Sequence, residues 1–295
     1  GRYGIANPHG WANGHTLPDH GILLTHGVDG LRAQIAARRQ QAVTPAQTNQ
    51  LRAMDRCLEG LSNHAAGCAA AARETARGVD DPGLRERLSA TADVAAAVAH
   101  AAPTTFHEAL QLLLFSNFMD LLDNRGDAYS FGRADQLLLP FYAADRAAGR
   151  LDADEAFDLV CQFVARMWGE QTSMNLTLGG LTPAGDDGTN ALSYMFLEAM
   201  EATELAVDLS VRLHADSPED FRRLAARVIR RGFGRPSLYN DDVTVPALVR
   251  HGIDVADARD YAPLGCVEVM IPGRSAFRTM CFGMNLTKVL ELVVN

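Results

Sequence analysis

The stretch from Val207 to Ser217 constrains the fold more than any other. Val207, Leu209, Val211 and Leu213 alternate with Asp208, Ser210, Arg212 and His214, and a helix start follows at once. A two-residue period is that of a strand with one face buried and the other polar, so this segment predicts a half-buried strand. Ser217-Pro218 then opens a helix with Glu219 and Asp220 in its first turn, and Arg230, Arg231 and Gly232 close it. That order complements the helix dipole and supplies a C-terminal glycine, so Arg222, Arg223, Arg227, Arg230 and Arg231 need no ligand to explain them. Further strand signals lie at 174–180 and 264–270 among longer helical patterns. Helix alternating with short strand predicts an α/β scaffold, mostly helical over this chain.

The helical patterns fall at about 29–43, 45–77, 82–100, 133–147, 153–168, 189–203 and 243–260. Thr105-Phe106-His107-Glu108 reads as a capping box that opens an apolar helix running to about Asp120, which gives His107 a structural place. Residues 1–28 are rich in Gly and His with little periodicity and predict an irregular segment wrapped over the scaffold. Repeats, low-complexity tracts and linkers that would divide the chain are absent from the sequence, so residues 1–295 read as part of a single domain.

Composition narrows the function. The chain has 295 residues, 47% of them hydrophobic and 21% charged, enough to bury a substantial core. A formal net charge of −9 argues against a nucleic-acid surface, which needs clustered Lys and Arg. Apolar runs approaching the roughly 20 residues of a membrane helix are lacking, and the expectation is a protein without membrane association. The five cysteines form no Cys-x-x-Cys pair and no zinc spacing with His, which favours a reducing cytoplasm and no metal site. Cys57, Cys68 and Cys161 sit in helical patterns and read as core packing. Gly232-Phe233-Gly234 lacks the strand-glycine-helix order of a nucleotide loop.

The chemistry points to Gly265-Cys266-Val267-Glu268. In extended backbone, residues two apart project to one face, so the Cys266 thiol and the Glu268 carboxylate would reach one small substrate together. A Cys-x-Glu on its own also describes an ordinary core strand, and the neighbouring segments add what the triplet lacks. They are Gly14-His15-Thr16 with Pro18-Asp19, Ser130-Phe131-Gly132-Arg133-Ala134-Asp135-Gln136 with Pro140-Phe141-Tyr142, and Leu178-Gly179-Gly180. Further along come Gly185 to Asn190 with Leu192-Ser193-Tyr194, Pro236 to Asp241, Asp257 to Tyr261, and Asn285 to Leu292. With these segments, in this order, the chain resembles the glycyl radical enzymes, the pyruvate formate-lyase-like family, most weakly over the Ala-rich stretch from about 30 to 100.

The resemblance implies part of a ten-stranded α/β barrel ringed by helices, with the Cys loop threaded inside. Cys266 matches the position that becomes a thiyl radical and Glu268 the general base of the dehydratase and eliminase branch. Adjacent cysteines, as in pyruvate formate-lyase itself, are missing, which speaks against acyl transfer. His15 matches a substrate-hydroxyl contact, and Asp127 falls where hydroxyproline-type dehydratases carry a carboxylate, which suits a nitrogen-bearing substrate. Phe282 is a candidate aromatic partner for a cationic substrate. Ser130, Arg133, Gln136, Asp187, Asn190, Asn240 and Asp241 lie in the shared motifs and are expected mostly to hold loops through buried hydrogen bonds.

The family's radical-storing glycine motif does not occur in these residues, and the chain reads as an internal fragment, incomplete at both ends and inactive alone. The resemblance implies no bound cofactor, a protein-derived glycine radical outside this chain, a radical S-adenosylmethionine activase that installs it, a small-molecule substrate and a homodimer. Alternatives within the family are C–N or C–S cleaving lyases and arylacetate decarboxylases. Outside it stands a radical-incompetent homologue that only binds a metabolite.

Overall fold

The computed structural model describes residues 6–8, 15, 17–124, 128–169, 173–265, 267–275 and 282–294. Strand β1 (Ala6–Pro8) is followed by a helical run: α1 (His20–Gln40), α2 (Pro45–Arg77), α3 (Pro82–Val98) and α4 (Phe106–Asn124). Next come β2 (Ala128–Ser130), α5 (Ala134–Ala147), α6 (Ala153–Gly169), β3 (Ser173–Gly179), α7 (Ala191–Thr203) and β4 (Leu209–Leu213). Then follow α8 (Glu219–Ile229), β5 (Ser237–Asn240), α9 (Asp241–Arg250) and α10 (Val255–Arg259). The described chain closes with β6 (Ala262–Leu264), β7 (Glu268–Met270), β8 (Phe282–Met284) and α11 (Leu286–Val294).

Local chemistry sets the helix starts. Thr44 and Gln47 form a reciprocal capping box ahead of Pro45, and the Asp81 carboxylate accepts from the Leu84 amide ahead of Pro82. The expected box at Thr105 is present, with the Glu108 amide donating to Thr105 Oγ1 and the Thr105 amide donating to Glu108 Oε2, both at 3.2 Å. Helix α1 starts earlier than its pattern suggested, at His20, so the irregular segment ends at Asp19 instead of residue 28. Asp19 caps it by accepting from the Ile22 amide at 3.3 Å. The kink at Gly27 (φ 64°) breaks the periodicity there, and the turn brings the glycine so close that a Cβ would lie 2.2 Å from the Ala102 nitrogen. The helix expected over 243–260 is two, α9 and α10, separated at Gly252 (φ 88°), with Asp254 capping the second.

Strands β2, β3, β4 and β5 form one parallel sheet in that order. Helices α5 and α6, then α7, then α8 make the crossovers, as parallel pairing requires. On the outer face Leu176, Leu178, Leu209 and Val211 are fully buried in a core that also holds Phe131, Phe163, Phe196 and Phe221. The Phe131 and Phe163 rings are 5.0 Å apart and those of Phe163 and Phe196 6.0 Å, edge-on or tilted as aromatic quadrupoles favour. Each such side chain contributes on the order of 1.5 to 3 kcal/mol by leaving water.

The inner face corrects the reading of β4 as half-buried. Ser210 and Arg212 have no exposed surface, and Ser130, Asn175 and Thr177 on the neighbouring strands are as deeply buried. Polarity there marks the inside of the sheet, over which β6 packs, and not a wet surface. The strand expected over 264–270 is also revised. It is an antiparallel hairpin, β6 paired with β7 in the register Leu264 to Glu268, so Glu268 opens a strand of its own and the argument from one continuous extended run does not hold. A second small sheet pairs β1 with β8, Pro8 opposite Phe282.

Two smaller points differ from sequence reasoning. Cys57 is exposed and Cys68 and Cys161 are half-buried, because their helices present those positions toward the outer surface. His107, besides its place in the capping turn, lines a cavity of about 350 Å³ between helices with His64, Cys68 and Arg166. The surface arginines of α8 pair with acids: Arg223 with Glu219, Arg227 with Glu201 and, just past the helix, Arg231 with Glu204. Among the described residues, no helix is long and apolar enough to cross a membrane.

Candidate active site

The site is assembled where the segment before α1 meets the β6–β7 hairpin. Leu17 buries itself with Ala262, Leu264 and Met270 in a small apolar cluster, which ties that segment to the hairpin. Two residues earlier, His15 is held by its amide, which donates to the Ala128 carbonyl of β2 at 3.0 Å. Its backbone is left-handed (φ 64°), a conformation that costs a non-glycine residue on the order of 1 to 3 kcal/mol and persists only where the surroundings fix it. Behind it, the His20 ring is buried and its Nε2 donates to the Ser130 carbonyl at 3.1 Å. Burial pushes the His20 pKa down and keeps that ring neutral, a structural anchor between α1 and β2.

Ser130 pins the hairpin to the sheet. Its hydroxyl lies 2.9 Å from the Pro263 carbonyl and 3.2 Å from that of Asn175, and its single proton serves the shorter contact better. The Gly132 amide donates back to the same oxygen at 3.0 Å.

With both partners fixed, the buried His15 places Nδ1 3.6 Å from Glu268 Oε1. The other carboxylate oxygen, Oε2, accepts from the Val267 amide at 3.1 Å, so the hairpin backbone orients the acid. The Glu268 side chain is 25% exposed, which leaves it open to an incoming molecule. Gly265 makes the approach possible. At φ 55°, its Cβ position would lie 3.0 Å from Glu268 Oε2 and from two atoms of the His15 ring. Gly265→Ala is therefore expected to cost about 1 to 2 kcal/mol through the left-handed backbone and to force His15 and Glu268 apart; denaturant unfolding of the folded variant would measure the first, and an unchanged midpoint would refute it.

The pair thus sets an imidazole beside a carboxylate at the hairpin whose connecting residues include Cys266. Cys266 itself lies outside the described residues, as do Asp127 and Cys281, and the side chain of Phe282 does too. Among the described residues, no cluster of three or more His, Cys, Asp or Glu is arranged to hold a metal ion.

The motif residues make hydrogen bonds around this frame, buried at Asp135 and half-buried or exposed at Gln136, Asn190, Asp187 and Asn240. Asp135 accepts from the Gly179 amide at 2.7 Å and from Ser193 Oγ at 2.5 Å, and burial pushes its carboxyl pKa up. Gln136 donates to the Gly188 carbonyl at 2.6 Å, Asn190 caps α7, Asn240 caps α9, and Asp187 contacts Thr189 and His214. Arg212 was not singled out in the sequence, although with Asp241 of the motifs it carries much of this frame. An arginine on the polar period of a strand whose neighbours are Ser, Asn and Thr was the available signal.

A model of the Pyruvate formate lyase-like family matches residues 4–295. The chain belongs to that family. It is 33% identical over 307 residues to "Probable dehydratase YbiW" of Escherichia coli K12, covering 95% of this chain and 37% of that protein. It is 34% identical over 242 residues to an isethionate sulfite-lyase of Nitratidesulfovibrio vulgaris, covering 76% of this chain and 29% of that one. The solved hydroxyproline dehydratase of Clostridioides difficile, with trans-4-hydroxy-L-proline bound, superposes with a TM-score of 0.88 at 28% identity, over all of this chain and 40% of its own. The chain therefore spans well under half the length of these pyruvate formate-lyase-like relatives, and its fold is a portion of their α/β barrel. Relatives in this family are glycyl radical proteins, in which the radical belongs to the polypeptide.

Proposed function

We propose that the protein is a glycyl radical lyase that removes water from a small hydroxylated molecule, with a nitrogen-bearing substrate favoured. The observation that carries this reading is the approach of His15 to Glu268, 3.6 Å apart, at the hairpin containing Cys266. A glycine radical elsewhere in the polypeptide, installed by an activating enzyme, would supply the hydrogen-atom abstraction through Cys266. The residues of this chain do the proton chemistry. Glu268 takes a proton from the hydroxyl or amine on the carbon that has lost hydrogen, and His15 supplies a proton to the departing hydroxyl of the neighbouring carbon. The hydrogen atom then returns from Cys266. Such chemistry fits a protein of the cytoplasm under anaerobic conditions, acting as a homodimer.

Asp127 gives the reading its substrate preference, since by sequence it falls where hydroxyproline-type dehydratases carry a carboxylate, which suits a cationic nitrogen better than a plain diol. The test offers the activated full-length protein trans-4-hydroxyproline, choline, glycerol, 1,2-propanediol, isethionate and 4-hydroxyphenylacetate without oxygen, and follows products by mass spectrometry. Turnover of a cationic or zwitterionic hydroxylated compound is expected, and Asp127→Asn is expected to weaken it by about 1.5 to 3 kcal/mol, the worth of a hydrogen bond to a charged group. Glycerol or propanediol as the sole good substrate would remove the charge argument and leave the dehydratase. Sulfite from isethionate would favour C–S cleavage, the activity named for the Nitratidesulfovibrio relative. An arylmethane with carbon dioxide would replace the dehydratase by a decarboxylase.

A further inference from the structure

We propose that Arg212, Asp241 and Tyr261 form a buried clamp whose task is to position the β6–β7 hairpin, making them positioning residues for the acid–base pair at its turn; the functional half of this inference rests on the radical-lyase reading. Arg212 Nε donates to Asp241 Oδ1 at 3.0 Å and Nη2 donates to Oδ2 at 2.7 Å, a bidentate pair with both side chains fully buried. The same guanidinium donates from Nη1 to the Tyr261 carbonyl at 2.7 Å and from Nη2 to the Arg259 carbonyl at 2.8 Å. It lies over the Tyr261 ring, 3.9 Å from the centroid, and the Tyr261 hydroxyl closes the circuit by donating to Asp241 Oδ1 at 2.7 Å.

The clamp joins three strand ends to the approach of the hairpin. Arg212 is on β4, Asp241 follows β5, and the Leu181 amide beyond β3 donates to Asp241 Oδ2 at 2.7 Å. Gly180 must be small here, because a Cβ would stand 2.7 Å from Arg212 and 2.8 Å from Asp241 Oδ2. Arg133 adds a second guanidinium, donating to the Gly179 carbonyl at 3.1 Å and to the Arg259 carbonyl at 3.3 Å. Tyr261 immediately precedes β6, and β6 leads into Gly265, so the backbone height at residues 259 and 261 sets where Glu268 meets His15.

Stability alone does not call for this arrangement. A buried ion pair contributes little over apolar side chains of equal volume, because desolvation cancels most of its attraction. What apolar groups cannot do is hold two main-chain carbonyls, those of residues 259 and 261, at one fixed point, and a fork of directed donors can. A misplacement of about 1 Å can cost on the order of a hundredfold in rate, which makes such a fixed point worth its desolvation.

The test uses the full-length protein carrying Tyr261→Phe or Arg212→Lys. Before activation, amide hydrogen exchange is compared between a peptide covering 262–270 and one covering α7, and iodoacetamide labelling of Cys266 is compared with that of Cys161. We expect exchange at 262–270 and labelling of Cys266 to rise about tenfold while α7 and Cys161 stay as in the wild type. After activation, kcat per glycine radical counted by EPR is expected to fall about tenfold with KM little changed. Acceleration of both peptides together would reduce the clamp to a general stabiliser, and acceleration of neither, or an unaltered kcat per radical, would also overturn the proposal. Where Arg212→Lys does not fold, Tyr261→Phe decides. The exchange and labelling arms need neither radical nor substrate, so a failure of the lyase reading leaves them standing and is told apart from a failure of the clamp.

Discussion

Cys266→Ser is expected to abolish turnover in the activated full-length protein while the glycine radical remains visible by EPR. The substitution replaces sulfur by oxygen and changes little else in volume, so the hairpin and its anchors at Ser130 and Arg212 are retained. A serine O–H bond is too strong for the hydroxyl to relay hydrogen abstraction, whereas under the proposed function the radical is installed on a different segment. Near wild-type turnover by the serine variant would end the thiyl assignment. Loss of the radical along with turnover would place Cys266 in radical installation instead.

Glu268→Gln carries the second large effect. Glutamine keeps an oxygen for the Val267 amide, now 3.1 Å from Oε2, and presents its amide nitrogen toward His15. The seat is preserved and the base is gone. General bases typically contribute about 10²- to 10⁴-fold, so a loss of kcat on that scale is expected with substrate affinity little altered. Weakened binding at an unchanged maximal rate would make Glu268 a substrate-holding group and require another base.

Local features of the fold were legible because local chemistry dictates them. The helices read from 45 and 82 and the box at Thr105 start where the structure has Thr44 capping ahead of Pro45, Asp81 ahead of Pro82 and Thr105 itself, since caps satisfy backbone donors within a single turn. Pattern failed where the deciding contact lay far away in sequence. Arg212 sits on the polar period of its strand, and periodicity assigns polar residues to water; only the carbonyls of residues 259 and 261 and the carboxylate of Asp241 turn that face into an interior. The hairpin at 262–270 looked like one strand because its turn is only three residues long and Gly265 was the single local sign that the extended run ends. The site divides in the same way. Glu268 and His15 were named through family motifs, and spacing carries no information that two residues so distant along the chain will meet.

The donors that hold the hairpin go to main-chain carbonyls: Arg212 to residues 259 and 261, Arg133 to residue 259, Ser130 to residue 263. A carbonyl is offered by every amino acid, so these hydrogen bonds are indifferent to the side chains at the residues that accept them, and only the apolar contacts of Ala262, Leu264 and Met270 with Leu17 depend on what the hairpin carries. Mutations in the reacting groups can accumulate without unseating the loop that presents them, and new chemistry can be tried on an unchanged mount.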